Sequence, residues 1–246
     1  MKLRVRKSRV SQKEFDYPAF EQIHRKGEDD PRFARTGKKK EPRIIRQRQP
    51  IAGQKSCGIG YISLLNLTDI AQRLQEDREQ FGRCLNEFID AVREIVTDAG
   101  GKMQPYSLDG ILFLFDHKGK KSGATQAAVT GLKIRYRMNK LNRSWDNYHA
   151  DAWKIRTGVC AGPVTITEMP TEFGHEIEVT GEFAELAKAV SRSAGSGQVL
   201  VVEDAYKGAG FNKALFETGN PRVLQPTGAD YATKVREIVA MLKTQY

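Results

Sequence analysis

The sequence predicts an α+β fold: a ferredoxin-like βαββαβ core over residues 56–210, a basic arm at 1–55 before it and a C-terminal helical extension at 211–246 after it. Three observations lead there. Short apolar runs of strand length alternate with longer stretches whose apolar residues recur every three or four positions. The pair Gly100-Gly101 divides the first long helical pattern from a hairpin pattern. The formal charge of +10 lies entirely in residues 1–55, which hold 17 Lys/Arg against 7 Asp/Glu, and the rest of the chain is balanced.

The arm has few apolar residues, several prolines and no sustained period of 2 or 3.6, so it builds no core of its own and is expected to be extended or disordered when free. Its densest cations are Lys38, Lys39, Lys40, Arg43, Arg46 and Arg48, with Phe15, Tyr17, Phe20 and Phe33 scattered among the charges. A solvated tail is one reading. The other is a grip on an anionic partner, such as RNA or a ribonucleoprotein, DNA or an acidic protein surface, with any phosphate contacts weakening with salt.

The elements follow in order. A strand is expected at about 59–67. Thr68 or Asp69 then caps a helix running to Asp98, with Ile70, Leu74, Phe81, Leu85, Phe88, Val92 and Ile95 on one face. A hairpin over 102–115 comes next, and then a helix striped by Ala127, Gly131, Ile134, Met138 and Leu141. Strands begin at Trp153 and Glu176. A short helix carries Phe183, Leu186, Ala187 and Val190, and Gly197–Val201 closes the core. In the extension, Tyr231, Val235, Ile238 and Leu242 suggest a terminal helix. No run reaches the ~20 apolar residues that cross a bilayer. Cys57, Cys84 and Cys160 lack metal spacing and read as reduced, buried thiols of a cytoplasmic protein.

Five segments, in order, resemble the catalytic domain of the class III adenylate/guanylate cyclases. Gly60–Thr68 fits that family's first strand, and Cys84-Leu85-Asn86-Glu87-Phe88 fits its LLN-x-F helix segment. The run Gly100–Gly110, followed by Ile111–Phe115, is similar to its metal-binding hairpin. Arg156–Val164 is similar to R-x-G-[IV]-x-x-G-x-V, and Glu178–Gly181 with Gly197–Val201 completes the series. The resemblance implies a site where two metal ions, held by two aspartates, activate a ribose hydroxyl for attack on the α-phosphate of a nucleoside triphosphate.

The same resemblance implies that this chemistry fails here. Asp109 matches one metal aspartate, but the other position falls on Asn66, so Asp109 is at most a weak remnant metal ligand. A second register puts Asp69 in that role. The 43-residue separation of Asn66 from Asp109, against 40 from Asp69, and the Leu85-Asn86 landmark favour Asn66. The family's ribose-orienting asparagine and phosphate-stabilising arginine fall on Glu185 and Ala189, and Arg192 lies two turns beyond. The purine-selecting lysine falls on Pro105 and its partner on Glu178, and Leu108 replaces a glycine beside Asp109. The expectation is a protein without cyclase catalysis and without a cofactor. It would pair as a homodimer or heterodimer through its cyclase-homology domain and bind an anionic partner through residues 1–55, with no membrane contact. Two readings stay open beside it: a nucleotide-sensing domain that binds without turnover, and a divergent active cyclase using Asp69 and Arg192.

Overall fold

The structure, a computed structural model, describes residues 51–73, 78–107, 110–117, 122–145, 152–171, 174–225 and 232–242. The chain divides into units Met1–Arg46 and Gln47–Tyr246, and all described residues belong to the second. Its elements are β1 (Ile51–Leu64), α1 (Leu67–Arg73), α2 (Arg78–Asp98), β2 (Lys102–Met103), β3 (Ile111–Asp116), α3 (Gly123–Trp145), β4 (Ile155–Thr171), β5 (Gly174–Thr180), α4 (Glu182–Arg192), β6 (Val199–Val202), α5 (Glu203–Lys207), β7 (Phe216–Thr218), β8 (Arg222–Leu224) and β9 (Thr233–Met241). The strands form one sheet in the order β2-β3-β1-β4-β6-β9-β7, with β5 added to β4 and β8 to β9. The segment β2-β3-β1-β4 is antiparallel throughout and has the ferredoxin-like arrangement expected of a βαββαβ chain.

The central strands read as unbroken apolar runs because both faces of the sheet are covered. Side chains alternate between faces along a strand. Ile111, Phe113 and Phe115 therefore join one core with Phe88 and Val92 of α2 and Ile134 and Met138 of α3. Leu112 and Leu114 join the other, with Ile59, Tyr61 and the α4 residues Leu186, Ala187 and Val190. Of the helix-face residues expected from spacing, Ile70, Phe88, Val92, Ala127, Gly131, Ile134, Met138, Leu186, Ala187 and Val190 are buried. Phe81, Leu85, Ile95, Leu141 and Phe183 are half-buried against the same cores, and Leu74 lies outside the described residues. Gly100-Gly101 ends α2 as expected, through a left-handed turn. Gly100 has φ 75°, its N–H donates to Thr97 O at 2.8 Å and the Gly101 N–H donates to Val96 O at 2.9 Å.

Two features differ from expectation, the start of β1 and the C-terminal element. Residues 51–55 belong to the sheet and not to the arm: β1 pairs with β4 from Ile51↔Glu168 to Leu64↔Ile155. Ala52–Ser56 are exposed, so backbone pairing and the surface ion pair of Lys55 Nζ with Asp116 Oδ2 at 2.6 Å hold this end, and no apolar pattern announces it. The helix expected up to Asp98 is seen in two stretches, α1 and α2, with residues 74–77 between them outside the described residues. The terminal helix is instead a strand. Val235 and Ile238 are both fully buried, and their three-residue spacing imitates a helical stripe. In β9 that odd spacing sends them to opposite faces: Val235 packs in the α4-side core and Ile238 in the α2–α3 core. Leu242 is exposed, and Tyr231 lies outside the described residues.

A buried ion pair fastens this added strand. Arg236 of β9 donates from Nε and Nη2 to the two carboxylate oxygens of Glu203 at 3.2 and 3.1 Å, where the Glu203 side chain is 4% exposed. The Arg236 hydrogen bonds hold the Glu203 carboxyl below its ordinary 4.5, against the opposing effect of burial. A carboxyl lowered on folding contributes stability above its unfolded pKa and loses it as pH falls through the folded value. Glu203→Ala is expected to cost about 3 kcal/mol at neutral pH and to flatten the acid limb of the stability profile below pH ~4.5. Denaturant unfolding across pH checks this, and parallel profiles for both proteins would count against it.

Candidate functional site

Of the residues that the cyclase resemblance singles out, Pro105 and Glu178 lie on the α4 side of the sheet, beside a turn that follows β2. Ser107 and Gly110 close on each other through two backbone hydrogen bonds of 3.1 and 3.0 Å, and the Ser107 hydroxyl also donates to Gly110 O at 3.2 Å. Gly110 has φ 143°, and a Cβ there would lie 2.0 Å from Ile62 O, so only glycine lets this turn press against β1. Leu108 and Asp109, between them, lie outside the described residues.

Beside this turn is a cleft of about 230 Å³. Tyr61, Leu112 and Ile177 form its floor, Gln104, Pro105 and Ser107 one wall, and Glu178 of β5 and Lys188 of α4 the other. The structure thus brings Pro105 and Glu178 together. Pro105 offers neither a charge nor an N–H. Glu178 is exposed and shares the cleft with Lys188, while Glu182 and Glu185 of α4 are exposed outside its lining. Lys188 was not anticipated from sequence. Its Nζ lies 2.8 Å from Glu185 Oε1 as an i,i+3 pair on α4, the signal that could have found it.

Asn66 follows β1, and its carbonyl accepts the Ile70 N–H at 3.0 Å to start α1. Its side chain turns to the segment entering β4: Nδ2 donates to Ala152 O at 3.1 Å and Oδ1 accepts from Lys154 N at 2.9 Å. Asn142 of α3 grips the residue between them. Its Oδ1 accepts from Trp153 N and its Nδ2 donates to Trp153 O, both at 2.9 Å. Two side-chain amides therefore satisfy a strand-like segment that lacks a neighbouring strand at these atoms. Asp69, the rival metal position, is exposed in the first turn of α1.

Glu185 is exposed and paired with Lys188; Ala189 is half-buried one turn further along α4. The main-chain carbonyl of Arg192 accepts from Arg156 Nη1 at 2.6 Å. Arg156 Nε donates to Ser63 Oγ at 3.0 Å, Ser63 and Ser191 share a hydrogen bond of 2.9 Å, and Ser191 Oγ donates to Arg156 O at 3.2 Å. Burial lowers the Arg156 pKa, and the Arg192 charge lowers it further. This cluster ties the ends of β1, β4 and α4 together, and only the serines in apolar surroundings hint at it in the sequence.

All three cysteines are buried and unbridged. Burial pushes the Cys57 thiol up to about 11 and raises that of Cys160 as well, so neither is poised as a thiolate. Among the described residues no group of three or more His, Cys, Asp or Glu could hold a metal ion, and no helix is long and apolar enough to cross a membrane. Lys38, Lys39, Lys40, Arg43, Arg46 and Arg48 lie outside the described residues.

No family model and no curated protein matches the chain. Solved structures do. The adenylyl cyclase CyaB from P. aeruginosa is similar with TM-score 0.69 and 17% identity, over 80% of this chain and 100% of that one. The guanylyl cyclase Cya2 gives TM-score 0.69 and 17% identity, over 78% of this chain and 96% of that one. The guanylate cyclase domain of RhGC from Catenaria anguillulae, solved in complex with GTP, gives 0.63 and 16%, over 77% and 100%. Together with the strand order and the helix placement, these likenesses establish that the chain has the fold of the class III nucleotide cyclase catalytic domain.

Proposed function

We propose that this protein is a catalytically inactive cyclase-homology module that serves binding and assembly within a larger complex. The observation that carries the reading is the use made of Asn66. Two divalent ions need anionic oxygen ligands. The residue at the first metal position is neutral, its one side-chain oxygen already accepts the Lys154 N–H, and its nitrogen is tied to Ala152 O. With a neutral amide at Asn66, Asp109 is the one carboxylate left of the pair, too little charge to hold two divalent ions for cyclisation. Glu185 and Ala189, where the family has an asparagine and an arginine, give a carboxylate that repels a triphosphate and a methyl that donates nothing. The domain pairs with itself or with a related domain, as cyclase domains do in forming their sites.

The basic arm is the anionic-partner contact, through Lys38, Lys39, Lys40, Arg43, Arg46 and Arg48, and RNA is its first candidate. Full-length protein is expected to retard a single-stranded RNA in gel shift, with affinity falling steeply with salt. Replacing all six cations with Gln should reduce the slope of log K against log salt by about 4, at ~0.7 per lost phosphate contact. Equal slopes for both proteins would refute the arm's role.

One observation favours a second reading, a sensor that binds nucleotide without turnover: the cleft places an acceptor, Glu178, near a cation, Lys188. Its volume of about 230 Å³ is below the ~300 Å³ where ligand pockets begin, and Lys188 is neutralised by Glu185. Calorimetry with ATP, GTP and cyclic nucleotides, with and without Mn²⁺, is expected to give no binding heat. A saturable heat in any titration would favour the sensor.

A further inference from the structure

On the opposite face of the sheet from the cleft, α2, α3 and the end of β9 enclose a groove of about 560 Å³. Ile95, Leu132 and Ala240 give it an apolar floor. Its mouth carries apolar side chains open to solvent: Tyr136 is 62% exposed and Met241 45%, and Leu242 continues the patch at 48%. The groove has the size of a ligand site, and its floor gains from leaving water.

The rim is cationic. Lys133, Arg137 and Lys140 recur on α3 at i, i+4 and i+7, a stripe about 10 Å long on one helix face. Lys133 forms no ion pair with another described residue. Lys140 Nζ lies 4.8 Å from the Tyr136 ring centroid, and Arg137 reaches Glu94 only at 3.9 Å across an exposed pair. Arg135 is different: its guanidinium donates to Val239 O at 2.6 Å and to Gly197 O at 3.3 Å, so it holds the groove's two walls together.

We propose that this groove docks an amphipathic acidic helix of a partner protein. A row of Leu-like side chains would enter the floor, and flanking Glu or Asp at the same two-turn spacing would meet Lys133, Arg137 and Lys140. Nucleic acid fits less well. The floor offers nothing to phosphates, and the face of Tyr136, the one exposed aromatic ring at the site, is already covered by Lys140. The floor residue Leu132 packs in the α2–α3 core while the cleft residues Tyr61 and Leu112 pack in the α4-side core, so this site is independent of whether the cleft turns over substrate.

The test is fluorescence anisotropy with the full chain and a fluorescein-labelled two-heptad peptide carrying Leu at helical spacing and Glu on the flanks. Changing its Leu to Ser, or its Glu to Lys, should weaken binding at least about tenfold. Lys133→Glu/Lys140→Glu should do the same, and Tyr136→Ala should weaken it about fivefold, with melting temperatures unchanged because all three positions are exposed. Equal binding of the Ser peptide would overturn the proposal in favour of plain charge attraction. Wild-type affinity in both protein variants would overturn the site. An oligouridylate that displaces the peptide and loses affinity in the same variants would assign the face to nucleic acid instead.

Discussion

Concentrated protein supplied with ATP or GTP and Mn²⁺ is expected to form cyclic nucleotide no faster than a buffer blank, read by mass spectrometry. The deficit compounds. Loss of one preorganised donor to a developing charge typically costs ~10²–10³ in rate, and under the proposed assignment Ala189 stands where such a donor is needed. Under the same assignment, an amide in place of a carboxylate ligand at Asn66 removes charge compensation for the ions themselves. Single reversions should therefore restore nothing. Asn66→Asp should also damage the fold, because it sets a carboxylate oxygen against the Ala152 carbonyl that Nδ2 now satisfies at 3.1 Å. At this solvent-exposed contact the loss is about 0.5–1.5 kcal/mol, the net worth of one hydrogen bond. Cyclic product from the wild-type protein that disappears in an Asp109→Asn variant would overturn the assignment.

Trp153→Ala is expected to lose about 4 kcal/mol of stability, the largest single-residue effect among those considered. Trp153 is 2% exposed and sits among Phe81, Phe88 and Trp145, with ring centroids 5.8, 6.5 and 5.1 Å away. Removing the indole empties the junction of α2, α3 and the entry to β4. The backbone either side of it is what Asn66 holds, so the substitution should loosen that clamp too. Thermal unfolding should drop on the order of 10 °C. Trp153→Phe should cost far less, since it keeps ring area and removes a buried Nε1–H that has no partner among the described residues. Similar melting of the Ala and Phe variants would contradict this account.

The core was legible because its signals are local. Apolar runs at β3 and β6 and the stripes of α3 and α4 need no tertiary knowledge, and the Gly100-Gly101 stop is stereochemical. The C-terminal region was not legible for a definite reason. A strand buried on both sides has no fixed period, and Val235 and Ile238, three apart, look helical until both faces of the sheet beside β9 are known to be covered. At the site, sequence placed Pro105 and Glu178 at one cleft and marked Asn66 as an unusual residue. It could not say why an amide stands there. The answer lies 86 residues away at Ala152, in backbone groups that carry no sequence signature. Lys188 and the serine–arginine cluster were missed because their meaning depends on which strand ends converge.

The position of β9 between β6 and β7 has a consequence for how the protein is made. β6 emerges from the ribosome with its outer backbone unpaired, and its neighbour Thr233–Met241 is synthesised only after β7 and β8. Until then the nascent sheet presents an open, Val-rich edge, the kind of surface that recruits foreign strands. Translation that stalls between Val202 and Thr233 should therefore leave a species that depends on chaperones and clumps readily, while one that reaches Met241 closes its own seam.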